Sequence, residues 1–230
     1  MTDSEATPPR TTHLWVREQL RDRILSGIYA PGHPLKQTEL AAQLSVSVTP
    51  VREAMRDLAT EGLVVIDPQR VARVRDLDAR EARELNEIRL LLEPLAAKLA
   101  ATHATPDDTA AITALAQETV DAESETEWLD SNRRFHMAVI EGAHAPLLTG
   151  ILSNLRQISS IYLAAAVRSS TSVREKSKRE HLALAEAIAM GDGDEAARII
   201  EGHLFPHAVL ATVVEEHLTS DQPRRHPPAR

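Results

Sequence analysis

Glu39-Leu-Ala-Ala-Gln-Leu-Ser-Val-Ser-Val-Thr-Pro-Val-Arg-Glu-Ala-Met-Arg-Asp-Leu-Ala-Thr-Glu-Gly-Leu-Val64 is the stretch that decides the fold. It reads as two short helices joined by a tight turn at Ser45-Val46-Ser47, then a glycine stop at Gly62 and a β-rich run. The second helix starts near Ser47 or Thr49. Pro50 suits its first turn, where the missing N–H would have no partner anyway. Val51, Ala54, Met55 and Leu58 recur at helical spacing and form its apolar back, while Arg52 and Arg56 fall on the other side. A helix with an apolar back and a basic front, entered by a tight turn, is the pattern of a helix-turn-helix. That motif lays the start of its second helix against base edges in the major groove, so DNA is the first partner to consider.

On the N-terminal side, residues 1–10 are polar, contain proline and predict a disordered arm. Thr12 is a candidate cap for a helix running to Ser26, with Leu14, Leu20, Ile24 and Leu25 as its apolar positions. Gly27 ends it, and Tyr29-Ala-Pro-Gly-His-Pro34 reads as a turn before a helix over 37–44. On the C-terminal side, Leu63–Ile66 and Val71–Val74 flank Asp67-Pro-Gln-Arg70 and predict a two-stranded wing. Residues 11–76 therefore form a winged helix-turn-helix. From Asp78 onward the pattern is helical throughout, with six helices expected over 79–103, 106–122, 125–142, 145–169, 173–191 and 194–217. Thr105-Pro106 and Ala145-Pro146 open two of them, and Gly191-Asp-Gly-Asp194 divides the last two. The fold class is mainly α: an N-terminal winged helix-turn-helix and a C-terminal all-α bundle over 77–218. The Pro- and Arg-rich stretch 219–230 predicts a disordered tail.

Composition bounds the function. The 230 residues are 43% hydrophobic but only 3% aromatic, and none is cysteine. The core is thus aliphatic, and disulfides and thiolate metal sites are excluded. No apolar run approaches the roughly 20 residues of a membrane span, and the first residues lack the apolar centre of a signal peptide, so a cytoplasmic location is expected. The net charge of −8 is unevenly placed: residues 1–75 hold 10 Lys+Arg against 9 Asp+Glu, and residues 76–230 hold 16 against 25. DNA contact must then come from a local patch, Arg52, Arg56, Arg70, Arg73 and Arg75, with affinity that falls with salt.

Within that patch Arg52 is the candidate for reading a base, since its guanidinium can donate two hydrogen bonds to guanine O6 and N7. Thr49 and Arg56 suit phosphates, and Arg70 reaches DNA from the wing. The plainer alternative is that Arg52 and Glu53 sit on an ordinary solvated helix face. Three segments carry a resemblance to a known family: Ile24-Leu-Ser-Gly-Ile-Tyr-Ala-Pro-Gly-His-Pro-Leu35, Glu39-Leu-Ala41 and Val48-Thr-Pro-Val-Arg-Glu-Ala54. They resemble the DNA-binding domain of the GntR family of bacterial transcription regulators. The second half resembles the all-helical FCD effector domain of its FadR subfamily, and six helices match the shorter, VanR-like version. The resemblance spans about residues 12–217. It departs from the family at Val48 and Thr38, where arginine is frequent, and at Gln69-Arg70, where the wing often has glycine. Of the arginines that typically read DNA, only Arg52 clearly matches.

A second cluster concerns control. Asn132 and His136 are four apart and share one helix face, and His181 and His203 lie on later helices that can converge with it in a bundle. Three imidazoles and an oxygen ligand suit a borderline divalent metal such as zinc or nickel, with positions left open for water or an anion. Spacing alone leaves ordinary bundle histidines as an alternative, because the chain has ten histidines, and His207, four after His203, is a rival ligand. The resemblance adds that Phe135-His136, Glu180-His181 and His203-Leu204 look like the three histidine positions of the metal-binding FCD subclass, with Asn132 where aspartate is common. It also implies that Arg89, in Asn86-Glu-Ile-Arg-Leu-Leu-Leu-Glu-Pro94, faces the effector cavity and pairs with a carboxylate. The alternative for Arg89 is a surface pair with Glu93.

The expectation is a homodimeric, metabolite-responsive regulator, a repressor with a metal-containing pocket that binds a small carboxylate effector and a double-stranded operator. The competing class is a metal-dependent hydrolase with an accessory DNA-binding domain, since three histidines and an open metal site are also hydrolase equipment. No His-Glu-x-x-His motif supplies the general base that such an enzyme needs.

Overall fold

A computed structural model describes residues 9–67, 71–169 and 171–204. Arg70, His207, the tail over 219–230 and the end of the last expected helix lie outside the described residues. Two compact units divide at Asp76 and Leu77, with Arg156–Ala164 belonging to the first.

The first unit opens with α1 (Pro9–Leu25), which starts inside the stretch expected to be disordered. Its buried side chains are Val16, Leu20 and Ile24, whereas Leu14 is 44% exposed. Val16, Leu20 and Ile24 repeat every four residues and make one stripe, and Leu14 lies two residues off it, on another side of the helix. After β1 (Pro34–Leu35) come α2 (Gln37–Gln43) and α3 (Val48–Thr60), then β2 (Val64–Ile66) and β3 (Ala72–Val74). The α2–α3 turn holds Ser45 at φ 54°, and Val46 N donates to Ala41 O at 3.0 Å to close it. Val51, Ala54, Met55 and Leu58 of α3 are buried, as their spacing predicts, and Arg17 and Arg21 of α1 pair with Glu61 just after α3. Gly62, at φ 78°, makes the exit that a β-carbon would disfavour.

The wing has three strands, not two: the order is β1-β3-β2, all antiparallel. Pairing Val64 with Val74 and Ile66 with Ala72 buries Ala72 and Val74 and leaves Arg73 exposed between them. β1 was read as part of a turn. It is two residues long, and Pro34, which cannot donate, is tolerated because it lies on an edge strand.

Six helices follow, α4 (Ala79–His103), α5 (Pro106–Asp121), α6 (Glu125–Gly142), α7 (Pro146–Ser169), α8 (Thr171–Ala189) and α9 (Gly193–Leu204), and apart from Arg156–Ala164 of α7 they make up the second unit. Capping boxes start three of these helices. Asp78 pairs with Glu81, Thr105 with Asp108, and Ser124 with Glu127, each satisfying two backbone donors that the first turn leaves unpaired. The core is aliphatic around Phe135: Ala97, Ala100, Ile112, Val139, Leu184, Ile188 and Ile200 pack together. Gly193 lets α9 begin hard against α4, since a β-carbon there would meet Lys98 Cγ at 3.0 Å and Lys98 O at 3.1 Å. Pro94 stands inside α4 and removes the hydrogen bond to the Leu90 carbonyl. No helix among the described residues is long and apolar enough to cross a membrane.

Candidate nucleic-acid interface and metal centre

In the first unit, α3 buries its apolar stripe and leaves Thr49, Arg52 and Arg56 exposed. Arg52 and Arg56 are one turn apart on the same face. Ser47 caps the helix in extended conformation without a side-chain hydrogen bond, and no acidic residue occupies the first turn. The N-terminal end of α3 therefore keeps its unpaired N–H groups and positive dipole end outward. Val48, where the family often has arginine, is 38% exposed at that end. Arg73 of β3 is exposed on the wing.

In the second unit, α6, α8 and α9 bring His136, His181 and His203 together, as their spacing allowed. All three are buried, and one ring nitrogen from each lies within 4.8 Å of the others. The ring centroids form a nearly equilateral triangle of 5.0, 4.9 and 5.1 Å, and Phe135 packs against His181 at 4.5 Å. Nε2 of His203 and Nε2 of His136 face each other at 3.2 Å. Asn132 is buried one turn before His136 on α6.

Proton accounting assigns the tautomers. Thr119 Oγ1 donates its hydrogen to Ala116 O at 2.8 Å, so it can only accept at its 3.1 Å contact with His181 Nδ1. His181 Nδ1 thus carries the hydrogen, and Nε2 carries the lone pair. His203 Nδ1 lies 2.9 Å from Glu180 Oε2, and a carboxylate accepts from it, so in the neutral ring Nε2 of His203 carries a lone pair and accepts from His136 Nε2 across 3.2 Å. Burial pushes the Glu180 carboxyl up, but hydrogen bonds from His203 and Lys176 outweigh it and hold the group below the ordinary glutamate range. A ligating imidazole oriented by a carboxylate or hydroxyl on its other nitrogen is the arrangement that metal-bound histidines need. The donor set fits a borderline divalent cation: His136, His181 and His203 would hold it, Asn132 would offer a neutral oxygen, and the cation would supply an electrophilic centre for an anion. Thr119 and Glu180 were not singled out from the sequence as orienting groups. Their roles depend on contacts across 62 and 23 residues, although the adjacency of Glu180 to His181 was visible.

Arg89 is buried rather than on the surface, and its Nε donates to Glu93 Oε1 at 2.6 Å. The pair joins positions i and i+4 of α4, with 3% of each side chain exposed. The remaining four N–H groups of the guanidinium are a second donor set.

Comparison with known proteins places both units. The model of the bacterial regulatory proteins of the gntR family matches residues 13–74, and the FCD domain model matches residues 84–205. The chain is 31% identical over 206 residues to the Nta operon transcriptional regulator of Aminobacter aminovorans, covering 86% of this chain and 96% of the relative. It is 30% identical over 207 residues to the probable D-xylose utilization operon transcriptional repressor of Paenarthrobacter nicotinovorans, covering 87% and 90%. The solved structure of E. coli McbR/YncC shares the fold, with a TM-score of 0.76 at 24% identity over 90% of this chain and 98% of that one. The family model and these relatives describe transcription regulators and not enzymes, which removes the hydrolase alternative. A winged helix-turn-helix with an exposed basic front, followed by a six-helix FCD bundle among the described residues, identifies this chain as a member of the GntR family of bacterial transcription regulators, of the type that carries an FCD domain.

Proposed function

We propose that the protein is a metabolite-controlled repressor that acts as a homodimer in the cytoplasm. Residues 11–76 bind a double-stranded operator and residues 77–218 bind the effector. Arg52 reads a base in the major groove, Thr49 and Arg56 hold phosphates at the start of α3, and Arg70 adds a contact from the wing. In the bundle, His136, His181, His203 and Asn132 hold a divalent metal, zinc or nickel by donor type. A small carboxylate approaches the open side of that metal and the guanidinium of Arg89. The repressor assignment follows relatives such as the D-xylose utilization operon repressor.

The observation that carries the effector reading is the buried imidazole triangle, with the tautomers of His181 and His203 set by Thr119 and Glu180. Three buried imidazoles within reach of one another, two of them oriented through their outer nitrogens, are preorganised to hold a cation. Metal analysis of the purified protein, followed by operator binding with and without a panel of organic acids, tests the reading. A metal-free protein whose operator affinity ignores both metal and acids would refute it.

A further inference from the structure

Below the imidazole triangle, three helices of the same unit each bury a polar atom that has no hydrogen-bond partner among the described residues: Asn86 Oδ1 on α4, Trp128 Nε1 on α6 and Arg174 Nε on α8. Trp128 is 1% exposed. Buried donors and acceptors are nearly always paired, so three orphans call for a physical account.

Helix rise places them at similar heights in the bundle. α4 and α6 run parallel, because a β-carbon on Gly142 would meet Ala104 Cβ at 3.7 Å and Ala100 Cβ at 3.8 Å, and Ala96 packs with Ile140. Asn86 is 14 residues before Ala100, and Trp128 is 14 before Gly142, so equal rise puts them at one height. α9 starts beside Lys98 and returns His203 to His136, so it runs against α4. α8, joined to α9 by the turn at Gly191, then runs with α4. Arg174 precedes His181 by 7 residues and Trp128 precedes His136 by 8, roughly 10 and 12 Å of helix.

We propose that this layer is the far end of the effector pocket, and that Asn86, Trp128 and Arg174 select a ligand with a hydroxyl at that end. The proposal rests on the reading of the imidazole cluster as the anchor for a carboxylate. A hydroxyl is the group that answers all three atoms, accepting from the Trp128 and Arg174 N–H groups and donating to Asn86 Oδ1. An alkyl end would leave all three unsatisfied. A second carboxylate would serve the two donors but would need the Asn86 amide turned to present Nδ2. A span of roughly 10 Å, less one hydrogen bond of about 3 Å at the far end, fits a chain of about five or six carbons.

The test is calorimetric titration of metal-loaded protein with acetate, pentanoate, hexanoate, 5-hydroxypentanoate and 6-hydroxyhexanoate. At least one hydroxy acid should bind tenfold or more tightly than its parent acid, because a site built to pair a hydroxyl penalises its loss. Trp128→Phe keeps an aromatic core and removes only the indole N–H. It should erase that margin while leaving metal content unchanged. In a Trp15→Phe background, Trp128 is the one remaining indole of the chain's two, and its emission should shift with the hydroxy acid but not with the parent acid, a readout that needs no change at the site. Hydroxy acids that gain nothing over their parents while acetate still binds would overturn the layer and leave the carboxylate anchor standing. Failure of acetate as well would overturn the anchor and the layer together. A margin that survives Trp128→Phe with no emission shift would remove Trp128 from ligand recognition and sink the proposal.

Discussion

Arg52 is exposed on α3, with the helix held in place by side chains on the opposite face, so truncating it should leave the fold intact. Arg52→Ala should weaken operator binding by about 1–3 kcal/mol through loss of a bidentate base contact, with a smaller loss on random DNA at the same salt. Equal losses on both would reassign the residue to a phosphate. Thr119 offers a comparable test in the bundle. Its hydroxyl touches no ligating nitrogen, yet it fixes the tautomer of His181. Thr119→Val keeps the shape and removes the acceptor, so metal affinity should fall by about 10–100-fold, read by competition with a chelator. Asn132→Asp should strengthen metal binding, since a carboxylate is the better ligand, and an unchanged affinity would place Asn132 outside the coordination sphere. Spacing showed only that His136, His181 and His203 could meet in a bundle, and it was the resemblance to the metal-binding FCD subclass that picked them out of ten histidines. Their partners were not legible, because Thr119 and Glu180 carry no periodic signal and acquire meaning only once α5 and α8 pack. The distal trio Asn86, Trp128 and Arg174 was invisible for the same reason.

Helix ends were the most readable elements. Asp78, Thr105 and Ser124 each precede a Glu or Asp three residues on, and that local chemistry fixes a start whatever the tertiary context. β1 was missed because its two residues owe their strand geometry to β3, which arrives late in the chain. The α5 cap makes a pH prediction. Hydrogen bonds from the Thr105 side chain and backbone, and from His144, hold the Asp108 carboxyl down at about 2. A carboxyl lowered on folding contributes stability that is complete above its unfolded value, about 3.9, and is lost as pH falls through about 2. The wild-type melting temperature should therefore drop more steeply between pH 4 and pH 2 than that of Asp108→Asn, and parallel profiles would show that the cap contributes nothing. Two glycines make a steric pair. Gly193→Ala forces a β-carbon against the backbone of Lys98 and should cost about 1–3 kcal/mol. At Gly150, inside α7, nothing lies within 4 Å of a β-carbon, so Gly150→Ala should add about 0.5–1 kcal/mol from the reduced entropy of the unfolded chain. Denaturant midpoints would separate the two, and a stabilised Gly193→Ala protein would mean that α9 does not seat against α4 as described.

One recognition helix reads only a few base pairs, which is too little to find an operator in a genome. Two copies related by a two-fold axis and bound to a pseudo-palindrome, as proposed, would supply the rest. Footprints showing two half-sites spaced by about one helical turn are expected, and a monomer protecting a single site would refute the dimer. Control then requires that the effector prefer one state of that dimer, because a ligand with equal affinity for the DNA-competent and incompetent states shifts nothing, however tightly it binds. The buried imidazole triangle and the Arg89–Glu93 pair are suited to such a preference. On the proposed reading an anion at the metal would compete with Glu93 for the guanidinium, and a buried pair that must be rearranged has no cheap intermediate position. An organic acid that fits the pocket should change operator affinity by about 5–150-fold, the usual range of allosteric coupling. Reciprocity demands that operator DNA change the affinity for the acid by the same factor, which titrations with and without DNA would measure. Arg89→Lys keeps the charge that Glu93 needs but loses the planar fork. It should reduce the coupling while leaving operator affinity in the absence of acid unchanged. Removal of the metal should reduce the coupling too, and should also lower thermal stability by the binding energy that the folded state alone enjoyed. Coupling that survives both changes at full strength would place the effector away from the imidazole triangle.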